Sequence, residues 1–283
     1  METPPDAATR PPGDVAARSL PVAVATALIL VAILVTAIVL GKDALFGVAL
    51  LVVMLALYEL LDALTRAGRR PNIVVGLLGG LGVIVFSYLR EPRFVIATLV
   101  VAGVIAFVLA LRPNRGPTPV SDVGWMLLGI MWIGGGGGAA VSILTLSGDG
   151  VLLLLSLVLV AALDDIGAYL VGTNLGHHKM APSISPGKSW EGMIGGSVVA
   201  IGAGVLVGVI MYDISILDGI ALGVICALFV PVGDLFESLA KREIGIKDSG
   251  RLLPGHGGFL DRLDAIIMCA PFFFLYLRFV VYR

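Results

Sequence analysis

Residues 151–172, VLLLLSLVLVAALDDIGAYLVG, decide the fold class of this chain. No charge interrupts residues 151–163, and a helix needs roughly 20 apolar residues to cross a hydrocarbon core of about 30 Å. A strand of a membrane barrel would be shorter and would alternate apolar with polar residues, which this stretch does not. The stretch predicts a membrane-spanning helix that carries two acidic residues, Asp164 and Asp165.

Eight further apolar runs, separated by charged residues, proline or glycine, extend this prediction along the chain. They cover residues 21–40, 44–63, 73–89, 94–111, 122–143, 192–211, 216–236 and 264–281. The composition agrees, because 58% of the 283 residues are hydrophobic, 14% are charged and the mean hydropathy is +1.02. Such values exclude a soluble globular domain. We predict an all-α fold, a polytopic integral membrane helical bundle with about nine transmembrane helices.

The sequence predicts one folded domain behind a short tail. Residues 1–19 combine four prolines with mixed charge and no apolar period, so we expect a disordered N-terminal tail. Residues 20–283 are predicted to form a single transmembrane domain. Within it, residues 20–149 supply the N-terminal spans, and residues 150–283 hold the polar motifs described below.

Basic residues are concentrated in alternate loops, although 19 Lys and Arg against 20 Asp and Glu give a net charge of only −1. The second, fourth, sixth and eighth loops hold twelve of them: Arg66, Arg69, Arg70, Arg112, Arg115, Lys179, Lys188, Lys241, Arg242, Lys247, Arg251 and Arg262. Cytoplasmic loops carry such an excess, so we expect these loops in the cytoplasm. We further expect the N-terminus outside and the C-terminus cytoplasmic, and no nucleic-acid partner.

Glycine is unusually frequent, with 37 of 283 residues against an ordinary share of about 7%. Small residues allow close helix packing in lipid, so we interpret the pairs Gly192/Gly196 and Gly204/Gly208 as packing faces. Five consecutive glycines, residues 134–138, weaken a helix by about 1 kcal/mol each relative to alanine. We expect a helix break or a tight helix crossing there.

The first polar cluster lies at the end of the run quoted above. Polar residues at membrane depth are costly and are functional candidates by default. On a helix, Asp165 and Tyr169 share one face, and Gly172 and Gly176 leave room for a backbone or a ligand. The alternative is an ordinary helix end that meets water. Two adjacent acidic residues inside a span disfavour this alternative.

The second cluster is residues 182–192, PSISPGKSWEG. Its Gly-Lys-Ser resembles the end of a P-loop, but that motif needs a glycine five positions before Gly187, where Pro182 stands. A turn that leads into a helix remains. We predict a phosphate site at this helix start, with Ser185, Lys188 and Ser189 as ligands and Ser189 as the helix cap. The alternative is an ordinary capped turn at the membrane surface.

The third cluster is the densest. Asp234, Ser238, Lys241 and Arg242 follow helical spacing and share one face, and they are followed by a second group of candidates: Lys247, Asp248, His256, Gly257, Gly258, Asp261, Arg262 and Asp264. Carboxylates interleaved with cations and a glycine-rich turn suit a divalent cation and a polyphosphate, because Mg²⁺ binds carboxylate and phosphate oxygens. The alternative is a charged membrane-surface loop.

The motifs together resemble the phosphatidate cytidylyltransferase (CDP-diacylglycerol synthase) family. The resemblance rests on three blocks: Asp165-x-Gly167-Ala168-Tyr169, then Ser185-Pro186-Gly187-Lys188-Ser189-x-Glu191-Gly192, and then Ser238-x2-Lys241-Arg242-x4-Lys247-Asp248-x-Gly250-x3-Pro254-x-His256-Gly257-Gly258-x2-Asp261-Arg262-x-Asp264. It covers about residues 150–283, and the N-terminal spans fit in hydropathy only. Ala240 stands where the family usually has a larger apolar residue, a difference that concerns packing.

The resemblance implies an enzyme of phospholipid biosynthesis that joins CTP and phosphatidic acid to give CDP-diacylglycerol and pyrophosphate. It implies Mg²⁺ as cofactor, with a second divalent cation or K⁺ as an option. Asp234 and Asp261 would be metal ligands, and Asp264 would be a third ligand or a residue that supports the ligands. Catalysis is then assigned to these three residues and Lys241. The remaining candidates bind substrate: Asp165, Tyr169, Ser185, Lys188, Ser189, Ser238, Arg242, Lys247, Asp248, His256, Gly257, Gly258 and Arg262. A bacterial cytoplasmic membrane, with the site facing the cytoplasm, is the expected location, and a homodimer is an open alternative.

Two other functions compete with this interpretation. Asp165 and Asp234 could carry cations in a membrane transporter, although the charges crowd into loops and do not follow a path across the membrane. A CTP-dependent lipid kinase would release CDP and no pyrophosphate. A CDP-alcohol phosphotransferase is excluded, because the residues after Asp218-Gly219 do not follow its Asp-Gly-x-x-Ala-Arg pattern.

Overall fold

The computed structural model describes residues 20–112, 117–146, 149–212, 214–246, 250 and 257–283. The predicted tail, residues 1–19, lies outside the described residues, as do the candidate site residues Lys247, Asp248 and His256.

The described chain is almost entirely helical. In order, its helices are α1 Leu20–Leu40, α2 Lys42–Arg66, α3 Ile73–Tyr88, α4 Pro92–Ala110, α5 Pro119–Gly129, α6 Gly135–Ile143, α7 Gly150–Leu175, α8 Trp190–Tyr212, α9 Ile216–Glu243 and α10 Leu260–Tyr276. A π-helical segment, Ile130–Gly134, joins α5 to α6, and a second one, Leu277–Val281, extends α10. With α5 and α6 taken as one span, each predicted span corresponds to a helical segment.

Within the described residues, seven helical segments are long and apolar enough to cross a membrane. They are Lys42–Arg66, Pro92–Ala110, Pro119–Ile143, Gly150–Leu175, Trp190–Ile210, Ile216–Glu243 and Leu260–Val281. Of the other two, α3 is apolar but shorter, with 16 residues, and α1 is apolar over Val24–Leu40, the part whose side chains are described. The prediction of an all-α membrane bundle is therefore confirmed, while the number nine stays a prediction.

The helical prediction missed one element. Strands β1 Lys179–Ala181 and β2 Ser185–Ser189 form an antiparallel hairpin between α7 and α8. The Cα partners are Lys179 with Ser189 and Ala181 with Ser185. The sequence predicts only a turn there, because a strand of three residues leaves no periodicity in the sequence.

The glycine run forms a tight helix crossing, as predicted. The residues are helical, in the π segment and α6, and they lie against neighbouring helices. A Cβ on Gly134 would lie 3.3 Å from the Cα of Gly80, and one on Gly136 would collide with the carbonyl oxygen of Ile267 in α10. The run therefore brings α6 close to α3 and α10.

Helices α7, α8 and α9 also pack through glycines, which confirms the predicted packing faces. A Cβ on Gly196 of α8 would lie 2.7 Å from the carbonyl oxygen of Asp164 in α7, and one on Gly192 would lie 3.1 Å from the Cα of Gly172. Further along α8, a Cβ on Gly204 would lie 2.5 Å from the carbonyl oxygen of Gly219 in α9. These close contacts fix the polar residues of α7 and α9 relative to each other.

The C-terminus is expected on the same side of the membrane as the basic loops, and this expectation is wrong. Lys241, near the end of α9, contacts Asp261 near the start of α10, whereas Tyr276 near the end of α10 donates a hydrogen bond of 2.8 Å to Asp218 near the start of α9. The two helices are antiparallel, so residues 282–283 lie on the face opposite to Lys241. The expected outside position of the N-terminus stays a prediction. It does not fit a count of nine crossings, which would put the N-terminal end on the face of the basic loops.

Candidate active site

A cavity of about 580 Å³ lies between α7, the β-hairpin, α8 and α9. Five of the residues predicted from the first two clusters and from α9 line it: Asp165, Tyr169, Lys188, Ser189 and Asp234. The structure therefore brings together side chains that are up to about seventy residues apart in the sequence. The glycines of α7 and α8, including Gly172 and Gly192, line the same cavity and leave it open.

The β-hairpin holds the predicted phosphate motif at the cavity. Lys188 lies on β2, and its Nζ donates a hydrogen bond to the Asp234 carboxylate on α9. Ser189, which is buried, accepts a hydrogen bond of 3.2 Å from the backbone N–H of Gly192 and so caps α8, as predicted. Ser185 lies at the far end of β2 and does not line the cavity.

The first turn of α8 anchors the hairpin. Glu191 accepts hydrogen bonds from the backbone N–H groups of His177 and His178, each at 3.2 Å, and from Nδ1 of the His178 ring at 2.6 Å. The carboxylate thus ties the end of α7 to the start of α8. This contact limits how far Lys188 can move from the cavity.

A cluster of acidic groups continues from the cavity along α9 to the start of α10. The Nζ of Lys241 lies 3.0 Å from Oε2 of Glu237 and 3.1 Å from Oδ1 of Asp261. Buried Asp264 faces the carboxyl groups of Asp234 and Glu237. The predicted residues Asp234, Lys241, Asp261 and Asp264 therefore form one connected group, which we call the acidic cluster together with Glu237.

The other predicted residues of this region lie around the acidic cluster. Gly258 donates its backbone N–H to Oδ2 of Asp261 at 3.0 Å, and Gly257 has a φ of 87°, where a side chain would be strained. Arg242 is exposed, with its Nε 3.5 Å from the carbonyl oxygen of Ile184 in the hairpin. Ser238 is half-buried on α9, and Arg262 is exposed on α10.

The sequence-based site omitted three acidic residues that the structure places in or beside it. Asp164 lines the cavity with a side chain that is 1% exposed. Glu237 pairs with Lys241, and Glu59 of α2 accepts a hydrogen bond of 3.0 Å from the backbone N–H of Leu260. The spacing of Glu237, three residues after Asp234 and four before Lys241, was the available signal for one of them. Nothing local could link Glu59 to a residue two hundred positions away.

Glu59 should stabilise the start of α10. Its side chain is buried, and Glu59→Ala would leave the N–H of Leu260 without this acceptor, at a cost of about 1–3 kcal/mol. We expect Glu59→Ala to lower the thermal unfolding temperature in detergent and Glu59→Gln, which keeps a carbonyl oxygen, to lower it less. Asp62→Ala is the control, since its ion pair with Arg66 is exposed and contributes little. Equal stability of Glu59→Ala and Asp62→Ala would contradict this role.

The donor atoms of the site fit a hard divalent cation. Within the described residues, no three acidic, His or Cys side chains are already arranged as metal ligands, and Lys188 and Lys241 lie against the carboxylates. Yet carboxyl groups outnumber these two lysines, and the buried oxygens Oδ1 of Asp164 and Oε1 of Glu237 have no hydrogen-bond partner. An oxygen-only set with unused acceptors is the chemistry that Mg²⁺ prefers.

The fold and the site are those of a membrane enzyme that holds its polar groups between apolar helices. A model of the cytidylyltransferase family matches residues 21–280. A phosphatidate cytidylyltransferase of Mycobacterium bovis is 31% identical over 276 residues, which cover 90% of this chain and 87% of that protein. One of Brucella suis biovar 1 is 33% identical over 257 residues, which cover 86% and 91%.

Another match is shorter and covers about half of the chain. YnbB of Escherichia coli K12, an uncharacterised protein, is 41% identical over 133 residues, which cover 47% of this chain and 45% of that protein. The long matches, together with the family model, decide the assignment. The chain belongs to the cytidylyltransferase family.

Proposed function

We propose that this protein is a membrane-bound nucleotidyltransferase that converts CTP and phosphatidic acid to CDP-diacylglycerol and pyrophosphate. The relatives that match most of the chain are named phosphatidate cytidylyltransferase. The observation that carries the proposal is the acidic cluster with Lys188 and Lys241, which adjoins a cavity between apolar helices. Such a site suits a polyphosphate next to a lipid.

The chemistry needs alignment more than activation. A phosphate oxygen of phosphatidic acid attacks the α-phosphorus of CTP, a new P–O–P bond forms, and the bond to the β-phosphate breaks to release pyrophosphate. The nucleophile is already an anion, so no covalent intermediate with Ser, Cys or His is required. Positive groups that neutralise the phosphates, the lysines of the site and a bound cation, would supply the main rate enhancement.

Asp234, Asp261 and Asp264 are the proposed ligands of Mg²⁺, with a second divalent cation or K⁺ as an option. When bound, the cation would neutralise phosphate charge and hold the reacting groups in line. The lysines are also proposed to neutralise phosphate charge. Lys188 and Lys241, which lie against these carboxylates, can turn to the phosphate oxygens of CTP when substrate and cation bind.

Other residues are proposed to contact substrate around this centre. Arg242 can bind two phosphate oxygens at once, and Asp165 and Tyr169 line the cavity beneath the hairpin. The rest of the proposed set comprises Ser185, Ser189, Ser238, Gly257, Gly258 and Arg262, with Lys247, Asp248 and His256 from outside the described residues. The backbone N–H groups of the glycine turn are suited to bind phosphate.

The proposed location is a bacterial cytoplasmic membrane with the site on the cytoplasmic side. The excess of Lys and Arg in the loops of the site face supports this orientation. Residues 282–283 would then lie on the outer side. The acyl chains of phosphatidic acid need no closed pocket, because the helices around the cavity are open to the bilayer. A homodimer stays a prediction.

One assay separates the competing functions. Purified protein is incubated with labelled CTP, Mg²⁺ and phosphatidic acid, and CDP-lipid and pyrophosphate are quantified. A CTP-dependent kinase would release CDP, and a transporter would release neither product. The proposal fails if no pyrophosphate and no CDP-diacylglycerol appear.

Lys241→Ala should chiefly weaken the binding of CTP. Loss of one charged contact to a phosphate is worth about 1.5–3 kcal/mol, so we expect KM for CTP to rise at least about tenfold. A KM series for CTP at saturating phosphatidic acid measures this effect. The control is Lys42→Ala, at the start of α2 on the opposite face, which should leave KM unchanged. An unchanged KM in Lys241→Ala would contradict the assignment.

A further inference from the structure

A second cavity, of about 610 Å³, lies on the face of the protein opposite to the active site. It is bounded by the end of α3, the start of α4, the end of α6 and the last turns of α10. The charged residues that line it are Arg90, Glu91 and Arg278. None of these residues belongs to the active site, so the cavity calls for a separate explanation.

The arginines of this cavity leave an excess of positive charge. Within the described part of the chain, the side chain of Arg90 makes no ion pair or hydrogen bond. Arg278 donates only to the carbonyl oxygen of Tyr282, at 3.4 Å. The carboxylate of Glu91 is already paired with Arg93, with Nε and Oε2 3.0 Å apart. Two guanidinium groups therefore remain without an anionic partner.

The backbone at Arg90 points to a role for its side chain. Arg90 has a φ of 61° and is the one residue other than glycine with a positive φ in the described chain. Arg90 lies just after the end of α3. There the backbone N–H of Arg90 donates to the carbonyl oxygen of Ser87, and the N–H of Glu91 donates to that of Phe86. Glycine is strongly favoured at a helix end of this kind. Strained residues of this kind mark candidate functional positions.

The rim of the cavity is apolar and exposed. Ile96 is 64% exposed, Leu275 is 47% exposed and Phe279 is 62% exposed, all on helical segments that are long and apolar enough to cross a membrane. Acyl chains can lie along these side chains while a phosphate reaches the guanidinium groups. Arginine is well suited to bind phosphate oxygens in pairs.

We propose that this cavity binds the headgroup phosphate of an anionic phospholipid from the leaflet opposite to the active site, through Arg90 and Arg278. A zwitterionic lipid brings its own cation and cannot neutralise the two arginines. A free phosphate ion would not use the apolar rim. The site is separate from the catalytic reaction, so its test does not depend on enzymatic activity.

The test is the thermal unfolding of the full-length protein in a non-ionic detergent, titrated with phosphatidylglycerol, phosphatidylcholine or inorganic phosphate. We expect phosphatidylglycerol to raise the unfolding temperature of the wild type, with little effect from the other two. In Arg90→Gly and Arg278→Gln, the phosphatidylglycerol concentration that gives half of the effect should rise about tenfold, as expected for the loss of one charged hydrogen bond.

The variants separate lipid binding from stability. Arg90→Gly relieves the backbone strain, so the protein without lipid should unfold at the same or a higher temperature while its response to phosphatidylglycerol weakens. Lys42→Gln is the control, because Lys42 is exposed at the start of α2, does not line the cavity and should respond like the wild type. An undiminished response of Arg90→Gly and Arg278→Gln, equal stabilisation by phosphatidylcholine, or equal stabilisation by inorganic phosphate would overturn the proposal.

Discussion

Asp234→Asn will leave the protein folded in the membrane and will lower the rate of CDP-diacylglycerol formation by about two to three orders of magnitude. Asp234 joins the cavity to the acidic cluster, because it contacts Lys188 of the hairpin and faces Asp264 of α10. The amide keeps the size of the side chain but removes the charge that a divalent cation needs. Loss of one aligned electrostatic group in an active site has effects of this size.

The measurement is the initial rate at saturating CTP and Mg²⁺, with the amount of folded protein checked by gel filtration in detergent. Glu243→Gln is the matched control, because Glu243 lies on the same helix but is exposed and outside the cavity. It should keep near wild-type activity. Full activity of Asp234→Asn would refute the assignment of Asp234 as a metal ligand.

Gly136→Ala will destabilise the protein by about 1–3 kcal/mol or more, the usual cost of overpacking. The new methyl group would collide with the backbone carbonyl oxygen of Ile267, which cannot move without shifting α10. Because α10 carries Asp261 and Asp264, we also expect activity to fall in the fraction that folds. Thermal unfolding in detergent, combined with the specific activity of the folded fraction, measures both effects.

The neighbouring glycine provides the control. No atom lies within 4 Å of a Cβ built on Gly135, so Gly135→Ala gains helix propensity without a collision. It should leave stability unchanged or raise it by up to about 1 kcal/mol. If both substitutions had the same effect, the glycine run would act through flexibility, and the packing argument for Gly136 would be wrong.

The helical bundle could be predicted because the membrane imposes a length on each apolar segment. Residues 151–172 fall within α7, and the run at 122–143 falls within the segment of α5, the π turn and α6. The hairpin could not be predicted in this way, since strands of three and five residues are too short to leave a periodic pattern. Nor could apolar length alone decide whether α1 and α3 cross the membrane.

The site was predicted where its residues follow local spacing. Asp234 and Lys241 share a face of one helix, and the structure brings Lys188 and Asp261 to that face. The sequence could not supply these partners by itself, because the distance between helices depends on close glycine contacts such as that of Gly196 with Asp164. The family assignment was confirmed by the comparisons, whereas the roles of individual site residues stay predictions.

The antiparallel arrangement of α9 and α10 has a practical consequence for labelling this protein. Arg283 lies beyond Tyr276, at the end of α10 that contacts Asp218, while Lys241 lies at the other end of α9. If α9 and α10 both cross the membrane, a fluorophore or purification tag attached after residue 283 would therefore lie on the other side of the membrane from Lys241. A membrane-impermeant reagent added from one side should reach either the label or Lys241, but not both.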